Sequence, residues 1–223
     1  MPSKSIKLKA LFFAVLFLFN LPAWSADSVS DHPVAVYLDP HYGGRENGPV
    51  FTKQAKGKDV TLALARAIQL ELAQSNIKAY LSREDDVYIP RGDRWFFAKK
   101  KGADLYLSIR LSLQDRDCIQ LYHAIRQPGA LKSESGKDMT KESAGLAGAL
   151  AQNLKNSAPK YCAVVRTKKD VIFETADFPA VIVEIGVARA ERQRAYVLDP
   201  DKSGELARAI AAGIKAFIEG MAK

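Results

Sequence analysis

The chain has 223 residues, 48% of them hydrophobic, with a formal net charge of +8 and two cysteines. That length fits one domain with a full hydrophobic core. The mild basic excess suits an anionic envelope or plain solubility, and with no aromatic-interleaved basic patch standing out, nucleic acid is excluded as a partner.

Lys4, Lys7 and Lys9 precede an unbroken apolar run from Ala10 to Phe19, which Pro22 ends before Ala23-Trp24-Ser25. A basic start, a short apolar middle and small residues at the −3 and −1 positions make residues 1–25 a secretory signal peptide. The run is about half the ~20 residues a bilayer span needs, so no transmembrane segment is expected after cleavage. No cysteine lies near the cut, which argues against a lipoprotein. The expected location is the periplasm or cell envelope of a bacterium.

The folded domain is expected over residues 33–221. Val34–Leu38 is a buried strand feeding a loop that contains Gly43, Gly44, Gly48 and Pro49. Asp59 is placed as the N-cap of a helix from Val60 to about Gln74. Ile77–Ser82 reads as a strand, Arg91–Lys101 as an amphipathic helix ending at Gly102, and Leu105–Leu111 as a strand interrupted by Ser108 and Arg110. Cys118–Arg126 is a further strand, Gln127–Lys141 a surface loop, and Lys141–Asn156 a helix. Val164–Phe173 and Val181–Ile185 are the last strands, before a helix from about Gly204 to Met221. Strands alternating with helices predict an α/β fold, a three-layer, mostly parallel sheet flanked by helices. Functional groups then gather at the carboxyl ends of the strands, after Leu38, Ile109 and Val183. Cys118 and Cys162, both at strand starts, are either a disulfide or two buried thiols.

Four segments carry a resemblance across about Val34–Ile218: Leu38-Asp39-Pro40-His41-Tyr42-Gly43-Gly44, Gly57-Lys58-Asp59-Val60, Ser108-Ile109-Arg110 and Pro179–Gly186. They resemble the zinc-dependent N-acetylmuramoyl-L-alanine amidases, which cleave the bond between N-acetylmuramic acid and L-alanine in peptidoglycan. The resemblance implies a zinc held by a His in the first segment, a Glu in the second and a His in the third, with a Glu of the fourth assisting the water. Such a site needs about three protein ligands and one open position, through which the metal acidifies water and polarises the carbonyl.

Carried over residue by residue, the ligand positions hold Tyr42, Gly57 and Arg110, with His41 displaced one residue earlier. A guanidinium cannot deprotonate to bind a cation, so no metal cofactor is expected. Glu184 matches the family's general base, as a relic. Arg110 and Glu184, both buried charges needing partners, are expected to pair with each other. His41, Tyr42, Lys58, Arg83 and Arg110 are the candidate binding residues, the cations keeping the groove electropositive. The function these readings favour is non-catalytic binding of peptidoglycan, a stem peptide or an envelope protein. The alternative is an active amidase with an atypical site built on Glu184 and His41. A serine esterase is unsupported, for there is no G-x-S-x-G elbow.

Overall fold

The structure, a computed structural model, describes residues 33–53, 55–114, 117–125, 138–157, 161–187 and 191–221. The expected signal peptide, the leader that follows it and most of the expected loop Gln127–Lys141 lie outside these residues. Six strands, β1 (Val34–Pro40), β2 (Ile77–Leu81), β3 (Leu105–Ser112), β4 (Ile119–Ala124), β5 (Ala163–Lys168) and β6 (Ala180–Gly186), form one sheet in the order β2-β1-β3-β6-β4-β5. Every neighbouring pair is parallel except β4 with β6. The helices are α1 (Gly57–Ala73), α2 (Arg91–Lys100), α3 (Thr140–Asn156), α4 (Val171–Thr175), α5 (Glu191–Leu198) and α6 (Pro200–Met221).

Alternation along each strand sends successive side chains to opposite faces, and here it sorts them by chemistry. One face receives Val36, Leu38, Leu105, Leu107, Ile109, Val181, Val183 and Ile185, packed under Leu64 and Ile68 of α1, Leu146 and Leu150 of α3, and Leu206 and Ile210 of α6. Each such buried aliphatic contributes roughly 1.5–3 kcal/mol. Helices α3 and α6 approach closely at Gly213, where an added Cβ would lie 2.8 Å from the Leu150 Cα. The other face receives Tyr37, Tyr106, Tyr122 and Ile182, covered by Ala98 of α2 and Ile172 of α4. Farther along β1, β3 and β6 it receives Asp39, Ser108, Arg110 and Glu184, and from the start of the antiparallel β4 it receives Gln120, all buried. The polar residues therefore collect on one face, at the carboxyl ends of β1, β3 and β6.

Several boundaries differ from the sequence reading. Helix α1 starts at Gly57, and Lys56 holds the N-cap position with no side-chain cap. Asp59 lies inside the first turn, where its carboxylate meets the positive end of the helix dipole. The expected strand Val164–Phe173 breaks after Lys168. There the Asp170 carboxylate accepts from the Ile172 amide at 3.4 Å and starts α4 instead. The closing helix begins at Pro200, with Asp199 accepting from the amides of Asp201 and Lys202 at 3.0 and 3.2 Å. Proline suits that first helical position because its missing N–H would have no helical partner. Of the two readings for the cysteines, the disulfide holds: Cys118 and Cys162 are bonded, their Cα atoms 4.6 Å apart, and tie β4 to the edge strand β5.

Candidate functional site

The centre of the polar face is Asp39, fully buried at the end of β1. Its carboxylate accepts from Ser82 Oγ at 2.7 Å, Tyr106 Oη at 2.8 Å and Ser108 Oγ at 3.0 Å, and from the Arg94 guanidinium. Burial alone would push this carboxyl up, but the donors and the Arg94 charge overrule it and hold it far below the ordinary carboxylate range. A buried ion pair with every lone pair met is stable as a unit, whereas removal of one partner strands the other.

Arg110 projects from β3 into the same layer and is 8% exposed. Its Nε donates to Ser108 Oγ at 3.0 Å, while Nη1 and Nη2 donate to the two carboxylate oxygens of Asp170 at 2.7 and 3.5 Å. The expected Arg110–Glu184 pair is thus corrected. The two residues are register partners on β3 and β6, yet among the described residues no ion pair joins them. The long guanidinium passes its strand neighbour and reaches the carboxylate that caps α4. Glu184 instead receives Lys168 Nζ from β5 at 3.3 Å. Burial pulls the Arg110 pKa down, but Asp170 more than restores it and holds it above its ordinary value. Burial likewise pushes Asp170 up, and Arg110 holds it below the carboxylate range.

The loop after β1 places the next two candidates. His41 is buried, its ring edge-on to Tyr42 with centroids 4.8 Å apart. Its Nδ1 lies 3.9 Å from Asp39 Oδ2, beyond hydrogen-bond reach, and is a buried atom with no partner among the described residues. Burial keeps the imidazole pKa below its usual value. Tyr42 has a left-handed backbone, φ 71°, a conformation disfavoured for a bulky residue. It is held there at both ends: its Oη donates to the Leu111 carbonyl and its own carbonyl accepts from Arg94 Nη2 at 3.2 Å.

Lys58 and Arg83, expected to line an electropositive groove, are buried and fully engaged. Lys58 Nζ donates to the Gly44 carbonyl at 2.9 Å and to Asp86 Oδ2 at 2.6 Å. Arg83 donates to the carbonyls of Pro40, Asp85 and Lys58 at 3.0, 3.0 and 2.6 Å. Both clamp the loops through these bonds. Arg91, exposed at the start of α2, has no ion-pair partner among the described residues and stands close enough to Tyr42 and Asp170 for its charge to act on both. Arg91, Arg94, Asp170 and Lys168 were all missed from sequence. Of these, only Asp170 carried a signal there, as an acid directly before the apolar run Val171-Ile172-Phe173.

The chemistry of these side chains does not fit the zinc that the family resemblance implies. The three positions carried over to the ligands offer a phenol bonded to a backbone carbonyl, a glycine and an ion-paired guanidinium. A Cβ added at Gly57 would stand 2.7 Å from Pro49 Cδ and 3.2 Å from the Asn47 carbonyl oxygen, so a longer side chain finds no room. No three His, Cys, Asp or Glu side chains converge as a metal-holding group among the described residues. Beside this layer, at the ends of β3 and β6, a cleft of about 610 Å³ is lined by Val50, Phe51, Leu113, Val187 and Leu198, with Arg194 at its wall.

Comparison with known proteins identifies the family over most of the chain. The family described as N-acetylmuramoyl-L-alanine amidase (Amidase_3) matches residues 36–216. A germination-specific N-acetylmuramoyl-L-alanine amidase of Bacillus subtilis is 26% identical over 219 residues, covering 91% of this chain and 90% of that protein. The amidase AmiC of Escherichia coli O6:H1 is 39% identical over 80 residues, 35% of this chain but only 19% of AmiC. Among solved structures, the catalytic domain of the amidase CwlV from Paenibacillus polymyxa superposes with a TM-score of 0.66 at 21% identity, covering 83% of this chain and 98% of that one. The CwlD amidase of Clostridioides difficile, solved in complex with the GerS lipoprotein, gives 0.63 at 20% identity, covering 84% and 99%. At these identities the structural likeness speaks for the fold.

Proposed function

The chain belongs to the N-acetylmuramoyl-L-alanine amidase family, and from that premise we propose that it is an exported envelope protein that binds peptidoglycan, or another envelope protein, without hydrolysing it. The observation that carries this reading is Arg110. A permanent cation, held by Ser108 and Asp170, stands at a position carried over to a metal ligand. It repels the ion that the chemistry requires. Glu184 is engaged in turn, its Oε2 accepting from Lys168 Nζ at 3.3 Å.

Binding rests on what the mouth still offers. Arg91, without an ion-pair partner among the described residues, supplies a cation for the carboxylates of a stem peptide, and the mixed cleft lined by Phe51, Leu113, Val187, Arg194 and Asp199 supplies contact area. The disulfide supports export, because such bonds persist in oxidising compartments. The CwlD–GerS complex is a precedent, within the fold, for a lipoprotein as partner.

The test uses the processed chain with labelled sacculi, with and without added zinc. The expected result is pull-down without release of stem peptides, sub-stoichiometric zinc by elemental analysis, and weaker pull-down for Arg91→Glu. Stoichiometric zinc together with released stem peptides overturns the reading and favours the working amidase. Restoring ligands by Tyr42→His, Gly57→Glu and Arg110→His is expected to fail unless Pro49 is also replaced.

A further inference from the structure

Helix α2 covers the tyrosine face with Arg94 and Ala98 buried and Trp95 half-buried, and leaves its outward side to solvent. On that side Phe96 is 52% exposed and Phe97 40% exposed. Residues four apart on a helix share a column, so Phe96 lies beneath Lys100 and Phe97 beneath Lys101. The sequence reading, which saw no basic patch interleaved with aromatics, missed this because the interleaving appears only once the helix is wound. Lys101 Nζ also lies 5.5 Å from the centroid of the Tyr80 ring on the edge strand β2, as does Lys78 Nζ. Lysines at the end of a helix suit its dipole. Two phenylalanines in water suit nothing in the fold. Asp93 is the one exposed acid on the helix.

We infer that this face of α2, continued by Lys78 and Tyr80, is a docking surface for an anionic phospholipid bilayer. Aromatic rings between lysines are the residue types that settle at the lipid headgroup level, the rings in the interface and the ammonium groups on the phosphates. The surface complements such a bilayer in charge as well as in apolar area. No helix among the described residues is long and apolar enough to cross a membrane, so the contact is peripheral and reversible. It would hold the polar mouth beside a membrane while leaving Arg91 and the cleft free.

Residues 32–223 form one compact unit that holds both cores, so that segment can be assayed without the apolar N-terminal run. Trp95 is then its sole tryptophan and reports on the patch directly. With vesicles of phosphatidylglycerol and phosphatidylcholine, Trp95 emission is expected to shift to the blue and the protein to sediment, an effect that fades with added salt. Pure phosphatidylcholine should give neither response. Lys100→Glu with Lys101→Glu, and separately Phe96→Ser with Phe97→Ser, should each weaken binding about tenfold or more. Arg91→Glu, at the mouth, should keep vesicle binding while losing sacculi, which separates this inference from the proposed function. Absence of binding to the anionic vesicles overturns the inference. So does wild-type vesicle binding by both double variants, or loss of sacculus binding alone in them, which would make the patch a glycan surface.

Discussion

The two faces of the sheet are built from the same strands and follow opposite rules. One is aliphatic, covered by long helices, and its residues interact through area alone. The other mixes tyrosines, three arginine–carboxylate or lysine–carboxylate pairs and a half-covered aromatic helix. The first face tolerates exchange of one apolar shape for another of similar volume. The second depends on each group finding its own partner, since a buried polar atom left alone costs more than its bond contributed. The comparison teaches that one face of a sheet can be held by shape and area while the other is held by specific polar pairs.

The sharpest way to break this contrast is Asp39→Ala, which leaves Arg94 buried without its carboxylate and should lower stability by about 3–5 kcal/mol in urea unfolding. On the aliphatic face, Leu150→Ala should cost about 2–5 kcal/mol through its cavity, and by the same amount at every pH. Reducing Cys118–Cys162 should cost about 2–4 kcal/mol, read as a shift of the thermal midpoint with and without reductant. The polar face alone should respond to acid. Asp39 and Asp170 titrate below their unfolded value of about 3.9, so the stability they contribute is complete above that value and is lost as the pH falls through their folded values. His41 resists protonation when folded, so stability should already decline below pH about 6.5, where the unfolded chain takes up the proton. His41→Gln should flatten that upper part of the profile. The smallest effect belongs to Phe96→Ser with Phe97→Ser, within about 0.5 kcal/mol of wild type for each exposed position.

The aliphatic face was legible from sequence. Alternation in Leu105–Leu111 and the helical spacing of Leu146, Leu150 and Leu154 fix elements whose partners are any apolar surface. The positions of Asp39, Arg110 and Glu184 were legible too, because polar residues inside apolar strands announce themselves. Their partners were not. Arg110 was paired with Glu184 on the logic of neighbouring strand ends, but a guanidinium has the reach to choose among several carboxylates. The one it meets lies on a segment misread as strand. The backbone partners of Lys58 and Arg83 were not legible for a related reason: a cation near a glycine-rich loop can serve ligand or backbone, and here the carbonyls of residues 40, 44, 58 and 85 accept from them.

The contact between Gly57 and Pro49 has a consequence for the order in which substitutions can be accepted. With the Pro49 ring 2.7 Å from where a Cβ would sit, every single replacement of the glycine meets the loop before it gains anything from its new side chain. A path leading from this sequence to a carboxylate at position 57 must therefore change the proline first, a step that by itself brings no ligand. The two positions are thus coupled, and a side chain at one is accepted only with a change at the other.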